Sequence, residues 1–351
     1  MVDFKKIILS THATVTEALK LISEVAIPNM ALFIVNDNNQ LVGSLTDGDI
    51  RRGLLQDKTI NNPIVDFINT NSKYFLKGEN NYEKALIYKK AGIRFVPVLN
   101  NKKEIVEILD LDTIRSLLPV DVVLMAGGKG ERLKPLTDTT PKPMLKVGDK
   151  PIIVRNIERL RAYYGINTIH ITVRHMADQI INGLKQNKSV SDNINFIIEP
   201  EPLGTIGAVR LINSFSYDTV LLMNSDLLTN IDFQDFYQNF IDSKADMLVA
   251  TVPYYVDVPY AIMDINDKSE VKSFNEKPRY TYYSNAGIYL FKKELINLIP
   301  ENKSFDATHF MEAVISNNKK LVSYPILGYW LDIGRIEDFY KAQEDVKYLN
   351  F

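Results

Sequence analysis

One stretch of this sequence, VVLMAGGKGERLKPLTDTTPKPM at residues 122–144, limits the possible folds more than any other. It runs from an apolar segment, which predicts a buried strand, into a loop containing Gly127, Gly128 and Gly130. We expect positive φ angles at all three glycines, because such a tight turn lets backbone N–H groups approach phosphate oxygens closely. The loop is surrounded by four cationic side chains, those of Lys129, Arg132, Lys134 and Lys142. The stretch therefore predicts a nucleoside triphosphate site, although it matches neither the dinucleotide-binding fingerprint nor the Walker loop.

Beyond this loop, short apolar segments alternate with amphipathic ones, which predicts a mainly parallel sheet covered by helices on both faces. The predicted strands comprise residues 122–125, 168–173, 195–198 and 219–224. The predicted helices comprise residues 153–164, 178–185, 207–212 and 335–349. Ligands of such sheets bind at the carboxyl ends of the strands, so the glycine loop lies where a ligand is expected.

The first 118 residues contain two similar units, each with a helix, two strands and a closing helix. In the first unit, Thr14 and Glu17 form a predicted capping box at the start of the first helix. In the second unit, the sequence DLDTIRSLL at residues 110–118 is predicted to form the closing helix. We therefore expect an N-terminal domain of residues 1–118, followed by a second domain of residues 119–351.

The composition excludes several classes of protein. The chain has 351 residues, of which 46% are hydrophobic and 24% are charged, as in ordinary globular proteins. Its 41 basic and 43 acidic side chains give a net charge of -2, so no partnership with nucleic acid or an anionic membrane is expected. The chain has no cysteine, which excludes disulfides and thiolate metal sites. We expect a cytoplasmic protein, because the sequence shows neither a signal-peptide pattern nor an apolar stretch of membrane-spanning length.

The ordered combination of the apolar strand, GGKGERLKPLT and PKPM resembles the signature of the sugar-1-phosphate nucleotidyltransferases. These enzymes join a nucleoside triphosphate to a sugar 1-phosphate and release pyrophosphate. The resemblance extends over residues 120–351 and implies an α/β fold with a Rossmann-like, glycosyltransferase-A-like mixed sheet. It implies that Arg132 and Lys142 act on the triphosphate. The other loop residues implied to bind the nucleotide are Leu124, Ala126, Gly127, Gly128, Gly130 and Gly204.

Two aspartates in apolar segments are candidate metal ligands. Asp226 ends the segment TVLLMNSD, where a carboxylate would be costly unless a cation or hydrogen bonds satisfied it. Asp332 lies in YWLDIGRIEDF, and the resemblance implies that both aspartates hold Mg²⁺ against the triphosphate. Carboxylate and phosphate oxygens suit that ion. A helix cap is the alternative for Asp332, and Arg335 replaces the threonine that is frequent in relatives, which leaves its role open.

Two further motifs, FNEKP and SNAGIYLF, correspond to the acceptor side of the family's pattern. The resemblance implies that Glu276 contacts sugar hydroxyls and that Lys277 contacts the sugar phosphate. It also implies that Asn285 and Gly287 form the floor of the sugar pocket. An ordinary β-turn is the alternative for the first motif, because Asn, Lys and Pro favour turns.

Glu199, in the segment EPEPLGTIGAV, occupies the position that reads the base in this family. Guanine presents two adjacent hydrogen-bond donors that one carboxylate can accept, whereas adenine and uracil do not. GTP is therefore the preferred donor, while UTP and CTP remain open. A surface charge at a strand end is the alternative for this residue.

The segment 1–118 resembles a tandem CBS pair, a module that often binds adenine or other nucleotides and regulates an attached domain. In that family a hydroxyl and a carboxylate after the second strand contact phosphate and ribose. Thr46 and Asp49 match these positions, and Arg52 adds a cation one turn later; a simple helix N-cap is the alternative for Thr46. In the second repeat, Asp110 takes the threonine position and would repel a phosphate unless a cation intervened. CBS pairs commonly dimerise, so a homo-oligomer is expected.

A CBS pair in front of a nucleotidyltransferase is similar to the sugar-phosphate guanylyltransferases of bacterial nonulosonic (legionaminic) acid pathways, which act on glucosamine 1-phosphate. We therefore expect GTP and glucosamine 1-phosphate as substrates, with mannose 1-phosphate or a heptose phosphate as open alternatives. A catalytically silent nucleotide sensor is a second hypothesis, and a glycosyltransferase is a third. The sensor is disfavoured because five site residues are all present: Arg132, Lys142, Asp226, Lys277 and Asp332.

Overall fold

A computed structural model describes residues 7–25, 30–114, 117–166 and 168–349. The chain divides into two compact units. The first unit contains the residues up to 119 together with 162–165, and the second contains 120–161 and the residues from 166 onward. Within the described ranges, every helix is too short or too polar to cross a membrane.

The first unit repeats one arrangement of strands and helices. Its helices are α1 (Val15–Val25), α2 (Asp47–Leu54) and α3 (Tyr82–Lys90). Its strands are β1 (Ile8–Ser10), β2 (Leu32–Val35), β3 (Leu41–Leu45), β4 (Phe75–Leu76), β5 (Phe95–Leu99) and β6 (Ile105–Asp110). They form two sheets, β1–β2–β3 and β4–β5–β6, in which the first two strands are parallel and the last two antiparallel. This shared topology accounts for the internal repeat in the sequence.

Local hydrogen bonds decide how two of the predicted helices in this unit form. The capping box is confirmed, because the Thr14 N–H donates to Glu17 Oε2 at 2.7 Å and the Glu17 N–H donates to Thr14 Oγ1 at 3.2 Å. The closing helix of the second repeat is wrong: Asp110 ends β6, residues 111–113 form a single turn, and Leu117 and Leu118 are not helical; residues 115 and 116 lie outside the described ranges. The Asp110 carboxylate accepts the Asp112 N–H at 3.0 Å, a local bond that competes with a continuing helix.

The second unit combines a large sheet, smaller strand pairs and helices. Its helices are α4 (Ile152–Tyr164), α5 (Ala177–Gln186), α6 (Phe233–Asp242), α7 (Ala307–Ser316) and α8 (Ile336–Asp345). The strands of the large sheet are β7 (Asp121–Ala126), β10 (Ile169–Val173), β11 (Ile194–Ile198), β12 (Thr219–Asn224), β14 (Met247–Asp257), β17 (Arg279–Lys292) and β18 (Leu321–Pro325). The remaining strands are β8 (Lys146–Val147), β9 (Lys150–Pro151), β13 (Leu227–Thr229), β15 (Ile262–Ile265), β16 (Val271–Asn275) and β19 (Trp330–Asp332).

The large sheet has the strand order β11–β10–β7–β12–β17–β14–β18. Its β11–β10–β7–β12 portion and its β14–β18 pair are parallel, while β17 runs antiparallel to both neighbours. Val123, Leu222 and Phe291 have no exposed surface, so the apolar runs of the sequence form the core of this sheet. The prediction of a mainly parallel, mixed α/β sheet is confirmed.

Two helix predictions in this unit need correction. The helix predicted at residues 207–212 is a 3₁₀ helix at Gly207–Leu211. The N–H groups of Ile206 and Gly207 both donate to Phe305 O, which holds the segment in a tight turn. The terminal helix α8 ends at Asp345 instead of residue 349, because the N–H groups of Lys347 and Tyr348 donate to carbonyl oxygens three residues earlier.

The short antiparallel pair of β13 and β19 brings two distant parts of the sequence together. Leu227 lies opposite Asp332 in this pair, and the Ile333 N–H donates to Asp226 O at 3.3 Å. The two candidate metal ligands thus become neighbours through strand pairing across about a hundred residues of sequence.

Candidate active site

A cavity of about 570 Å³ opens at the carboxyl ends of β7, β10, β11 and β12. Its volume is in the usual range for a small-molecule site. Most of the nucleotide-binding residues expected from the sequence line it: Ala126, Gly127, Gly128, Gly130, Arg132, Lys142, Glu199, Gly204 and Asp226. Leu124 does not line it, because this side chain is fully buried within β7. The strand ends therefore collect the predicted triphosphate and base contacts in one place.

The glycine loop differs from the expectation at two of its three glycines. Only Gly130 has a positive φ, of 66°, and the Thr137 hydroxyl donates to its carbonyl oxygen at 2.9 Å. Gly127 is needed for a different reason, because a Cβ atom there would lie 2.5 Å from Glu199 Oε1. The prediction of positive φ at Gly127 and Gly128 is wrong, and the loop uses one left-handed residue and one close approach.

Lys142 lies between the two candidate metal ligands. Its Nζ forms an ion pair with Asp226 Oδ2 and lies 3.7 Å from Asp332 Oδ1. The Lys142 side chain is 13% exposed, so this contact is largely shielded from solvent. Burial raises the pKa of Asp332, and the neighbouring Asp226 carboxylate adds to the rise, while Lys142 and Arg132 oppose it. One lysine thus holds two carboxylates that repel each other.

The two aspartates also fit a bound divalent cation. The Oδ1 atoms of Asp226 and Asp332 are both buried, and neither has a hydrogen-bond partner among the described residues. Oxygen atoms left in this condition are costly unless a cation approaches them. The described residues include no cluster of three His, Cys, Asp or Glu side chains suited to a metal. A Mg²⁺ ion here would complete its shell with phosphate oxygens and water, as that ion usually does.

Glu199 is buried at the end of β11, with its side chain against the glycine loop. Burial raises the pKa of its carboxyl group, whereas hydrogen bonds from the Leu203 N–H and the Thr172 hydroxyl and the charge of Arg174 lower it. The residue lines the cavity, so it is not a solvated charge on the surface.

Polar residues that the motifs had not singled out also line this cavity. Arg174 follows β10 directly, as Glu199 follows β11, and faces the Glu199 carboxylate. Asp306, the N-cap residue of α7, accepts the Thr205 N–H at 3.0 Å, and the Ala307 N–H donates to Thr205 Oγ1 at 2.7 Å. The position of Arg174 at a strand end could have identified it, but Asp306 is a hundred residues from Thr205 and carried no comparable signal.

The acceptor residues expected from the sequence are only partly near this cavity. Gly287 lies against Asn224, a cavity residue, since a Cβ atom at Gly287 would lie 2.6 Å from Asn224 Nδ2. The Asn285 side chain accepts the Gly287 N–H at 2.9 Å. Glu276 and Lys277 are exposed between β16 and β17 and do not line the cavity. The structure therefore does not bring the two residues of the FNEKP motif to the triphosphate side.

A second cavity, of about 660 Å³, lies within the first unit. Thr46 lines it, as do Lys73 and Arg94, whereas Asp49 and Arg52 do not. Asp49 instead closes a capping box: its carboxylate accepts the Thr46 N–H at 2.8 Å and the Thr46 hydroxyl at 2.6 Å, and Arg52 donates to it at 2.5 Å. Capping thus occupies the carboxylate expected to contact a ribose.

A cation does intervene at the second repeat. Arg94 donates two hydrogen bonds to Asp110, from Nε at 3.1 Å and from Nη2 at 2.9 Å. This bidentate contact neutralises the carboxylate at the position where its charge would repel a phosphate. Both repeats therefore contribute to the cavity without an unpaired negative charge.

Comparison with protein families and sequences shows what this chain is similar to. The nucleotidyl transferase family model matches residues 121–348, and the CBS domain model matches residues 4–56. The mannose-1-phosphate guanyltransferase of Saccharomyces cerevisiae is 30% identical over 236 residues, which are 65% of this chain and 64% of that protein. The protein of the same name from Schizosaccharomyces pombe is 32% identical over 231 residues, 62% of this chain and 61% of that protein. The chain thus spans less than two thirds of the length of these relatives.

Two crystal structures of HddC from Yersinia pseudotuberculosis resemble the second unit. One has a TM-score of 0.51 and 32% identity, and it covers 65% of this chain and 99% of its own. The other, whose title describes a complex with GMP-PN, has a TM-score of 0.50 and 30% identity with the same coverage. A structure from Bacillus anthracis that is titled as a glucose-1-phosphate thymidylyltransferase has a TM-score of 0.52 and 21% identity, and it supports the fold alone.

Proposed function

The chain belongs to the nucleotidyl transferase family, and we propose that it transfers GMP from GTP to glucosamine 1-phosphate with release of pyrophosphate. The observation that carries this proposal is the convergence of three parts in one cavity: a buried carboxylate, a glycine loop with two cations, and Asp226, which Lys142 links to Asp332. The product would be a nucleotide sugar for bacterial glycan or legionaminic acid biosynthesis.

The choice of GTP as donor rests on Glu199. This carboxylate is buried in the cavity and can accept the two adjacent donors of guanine, which neither adenine nor uracil presents. Arg174 faces it and favours its ionised form, which is the form that accepts both hydrogen bonds. The complex of a relative with GMP-PN is consistent with a guanine nucleotide at this position.

The proposed reaction needs charge stabilisation more than proton transfer. An oxygen of the sugar phosphate attacks the α-phosphorus, a new P–O bond forms, and the bond to pyrophosphate breaks. The attacking oxygen is already anionic, so no general base is required. Arg132 and Lys142, which line the cavity beside the glycine loop, would neutralise the triphosphate. The backbone around Gly130 would offer N–H donors to the same phosphates. The site therefore acts by bringing two polyanions together.

Asp226 and Asp332 are the residues that would hold Mg²⁺. When bound, this ion supplies Lewis-acid stabilisation of charge on the phosphoryl oxygens. With the ion bound, the two aspartates would contact it in place of Lys142, and the lysine ammonium would be available to phosphate oxygens.

On the acceptor side, we assign Lys277 to the sugar phosphate, Glu276 to the sugar hydroxyls or amine, and Asn285 with Gly287 to the pocket floor. Gly287 supports this placement, because it lies against a residue that lines the cavity. Glu276 and Lys277 follow β16 on an exposed segment, so acceptor binding would require this segment to approach the cavity.

Mannose 1-phosphate is the second candidate acceptor. The observation in its favour is the name shared by curated relatives from several yeasts, which are about 30% identical over the second unit. A glucosamine amine would favour a carboxylate such as Glu276, but a carboxylate also accepts a sugar hydroxyl, so the residue alone does not separate the two sugars.

For the first unit, we propose that its cavity binds a nucleotide and that binding changes the activity of the second unit. Lys73 would face the phosphates, and Thr46 would contact them at the start of α2, whereas Arg94 is held by Asp110. Titration of AMP and ATP into the protein without GTP tests this assignment. A loss of binding in Lys73→Ala would support the cavity, and equal binding in this variant would refute it.

Pyrophosphate release by the purified protein with Mg²⁺ tests the proposed reaction. Four nucleoside triphosphates are crossed with the 1-phosphates of glucosamine, N-acetylglucosamine, mannose and glucose. Activity with GTP and glucosamine 1-phosphate is the expected result. Activity with UTP or CTP alone would refute the role of Glu199, and silence across the grid with AMP and ATP added would refute the enzyme assignment.

A further inference from the structure

A projecting β-structure, which we call the arm, extends from the large sheet of the second unit. It comprises residues 254–284 and is formed by the outer ends of β14 and β17 together with the β15–β16 hairpin. The pairing of β14 and β17 continues without a break in this part, from Val252–Ser284 to Asp257–Arg279. Arg279 closes its end by donating two hydrogen bonds to Asp257, at 2.6 and 3.1 Å. The arm is therefore an ordered element.

The same two strands are buried at one end and exposed at the other. In β14 the five residues from Met247 to Thr251 are buried, whereas the four from Tyr254 to Asp257 are exposed. Of the 25 large hydrophobic side chains that are exposed in the described part of the chain, 12 belong to the arm. Tyr260 is 75% exposed, Phe274 is 65% and Tyr282 is 57%. Such a concentration is unusual for a monomer surface and marks an interaction site.

Both faces of the arm are exposed, whereas an ordinary edge of a sheet keeps one face against the core. All four residues of β15 and all five of β16 are exposed. Because successive side chains of a strand point to opposite faces, neither face of this hairpin is covered by the described residues. A two-stranded hairpin without cover is only marginally stable in water. The arm therefore needs an additional layer.

We propose that a second copy of this chain supplies that layer, with the two arms packed against each other in a two-fold symmetric dimer. The twelve apolar side chains, each about half exposed, offer roughly 1,000 Å² per copy over the two faces of the arm. A contact through one face of each arm would therefore bury roughly 1,000 Å² in total, which reaches the lower limit for a specific interface. A two-fold dimer presents the same patch from both copies, so one self-complementary surface is sufficient.

The charges of the arm favour its own copy over other occupants. It carries five acidic and four basic side chains, so two arms meet almost without net repulsion, and opposite charges on each can pair with the other. An anionic membrane would require a cluster of basic residues, and the four cations here are interspersed with the acidic ones. A different protein with a strongly charged surface would gain no electrostatic attraction from the arm, because the arm is nearly neutral.

The dimer would also act on the acceptor site, an inference that rests on the proposed function. Glu276 and Lys277 lie between the hairpin and β17, within the arm. Packing of the hairpin against a second copy would restrict this segment and reduce the entropy lost when it closes on a sugar phosphate. We therefore expect the KM for the sugar phosphate to depend on dimerisation, whereas the KM for GTP does not.

Sedimentation of the full chain, from nanomolar to tens of micromolar concentration, tests the dimer directly. The double variant Phe274→Ser with Tyr282→Ser should dissociate at concentrations at least about tenfold higher than the wild type. Leu327→Ser is the matched control, since Leu327 is 93% exposed outside the arm. A monomer at every concentration, or equal dissociation of the arm variant and the control, would overturn the proposal.

A second experiment does not depend on disrupting the fold. The chain has no cysteine, so a single thiol placed by Met263→Cys, Phe274→Cys or Tyr282→Cys is the only one present. Residues near a two-fold axis approach their own copies, and at least one of these variants should form a covalent dimer under mild oxidation faster than Leu327→Cys. Equal rates for all four variants would contradict the arm-to-arm arrangement.

Amide hydrogen exchange tests whether the cover of the arm depends on a second copy of the chain. Backbone amides of β15 and β16 should be more protected at micromolar than at nanomolar concentration of the wild type. Protection that is independent of concentration would mean that the same chain or another protein covers the arm, and the proposal would be wrong. None of these measurements uses catalysis, so failure of the proposed reaction and failure of the dimer give different results.

Discussion

Two clusters of carboxylates and cations, one in each unit, differ in how completely their oxygen atoms are paired. In the second unit, Lys142 lies between Asp226 and Asp332, and one buried oxygen of each aspartate has no hydrogen-bond partner among the described residues. In the first unit, Arg94 holds Asp110 with two hydrogen bonds of good geometry. The two clusters differ in hydrogen bonding: the cluster of the second unit leaves a buried oxygen of each aspartate without a hydrogen bond among the described residues, and that of the first unit satisfies both oxygens of Asp110.

This difference separates a site that is prepared for a cation from a contact that maintains a fold. An unpaired buried carboxylate oxygen costs free energy in the free protein, and that cost is recovered when a divalent ion binds. A bidentate arginine contact has no such capacity left. The following substitutions test whether the two clusters differ in this way.

The largest effect is expected for Asp226→Asn. Removing one of the two carboxylates should lower kcat by about a thousandfold, because several kcal/mol of charge stabilisation by Mg²⁺ would be lost. Pyrophosphate release at saturating Mg²⁺ measures this effect. Asp110→Asn is the matched control in the other cluster and should change kcat by less than about twofold, because Asp110 does not line the cavity at the glycine loop. Normal turnover of Asp226→Asn would refute the metal assignment.

Lys142→Met should lower kcat/KM for GTP by about a hundredfold, because a cation on the triphosphate is lost. The same change should tighten the binding of Mn²⁺ in the absence of nucleotide, since the ammonium no longer competes for the two aspartates. Electron paramagnetic resonance of free Mn²⁺ measures this binding.

Lys129→Met provides the control for that experiment. Lys129 lines the same cavity, but it is 56% exposed, and its ion pair within the described part of the chain is with Glu131, at 3.6 Å. Its loss should leave Mn²⁺ affinity unchanged. Weaker Mn²⁺ binding in Lys142→Met than in the wild type would contradict the competition between lysine and metal.

Glu199→Gln should lower kcat/KM for GTP by roughly tenfold to a hundredfold, because a charged acceptor of two hydrogen bonds is lost. The rate with UTP should change little. Glu201→Gln, an exposed neighbour in the same loop, is the control. A uniform loss with all four triphosphates would assign Glu199 to the loop structure instead of the base.

The raised pKa of Glu199 adds a pH dependence to this prediction. Guanine binding requires the ionised form, which is lost as the pH falls through the pKa of the folded protein. Because burial places that pKa above the usual 4.5, the KM for GTP should begin to rise at a higher pH than for an ordinary glutamate. Glu199→Gln should remove this limb of the profile while leaving the others.

The smallest effect is expected in the satisfied cluster. Arg94→Leu leaves Asp110, whose side chain is 10% exposed, without its cation, and should lower the free energy of local unfolding by about 2 kcal/mol. Amide hydrogen exchange in β5 and β6 measures this change. Lys84→Leu is the control, because its pair with Glu79 is exposed on both sides and contributes little. Equal protection in both variants would mean that the Arg94 contact is not structural.

Much of the site was predictable from the sequence, because its residues follow apolar strands immediately. Glu199 and Asp226 each come directly after, or within two residues of, a strand end, and parallel strands bring their carboxyl ends to one edge. Arg174 has the same kind of position and was missed only because no motif drew attention to it. The need for a glycine at position 127 was not predictable, since it arises from the close approach of Glu199, which is distant in the sequence.

The sequence by itself determined the α/β class, the repeat of the first unit, and the glycine loop that lines the cavity. These features depend on periodicity and on neighbours in the chain, which short-range sterics and hydrophobic burial specify. Only the tertiary structure decided that Lys142 lies between Asp226 and Asp332, that Arg94 neutralises Asp110, and that the arm leaves both faces exposed. Such contacts depend on the register of strands far apart in sequence, and a register is set by the packing of the whole core.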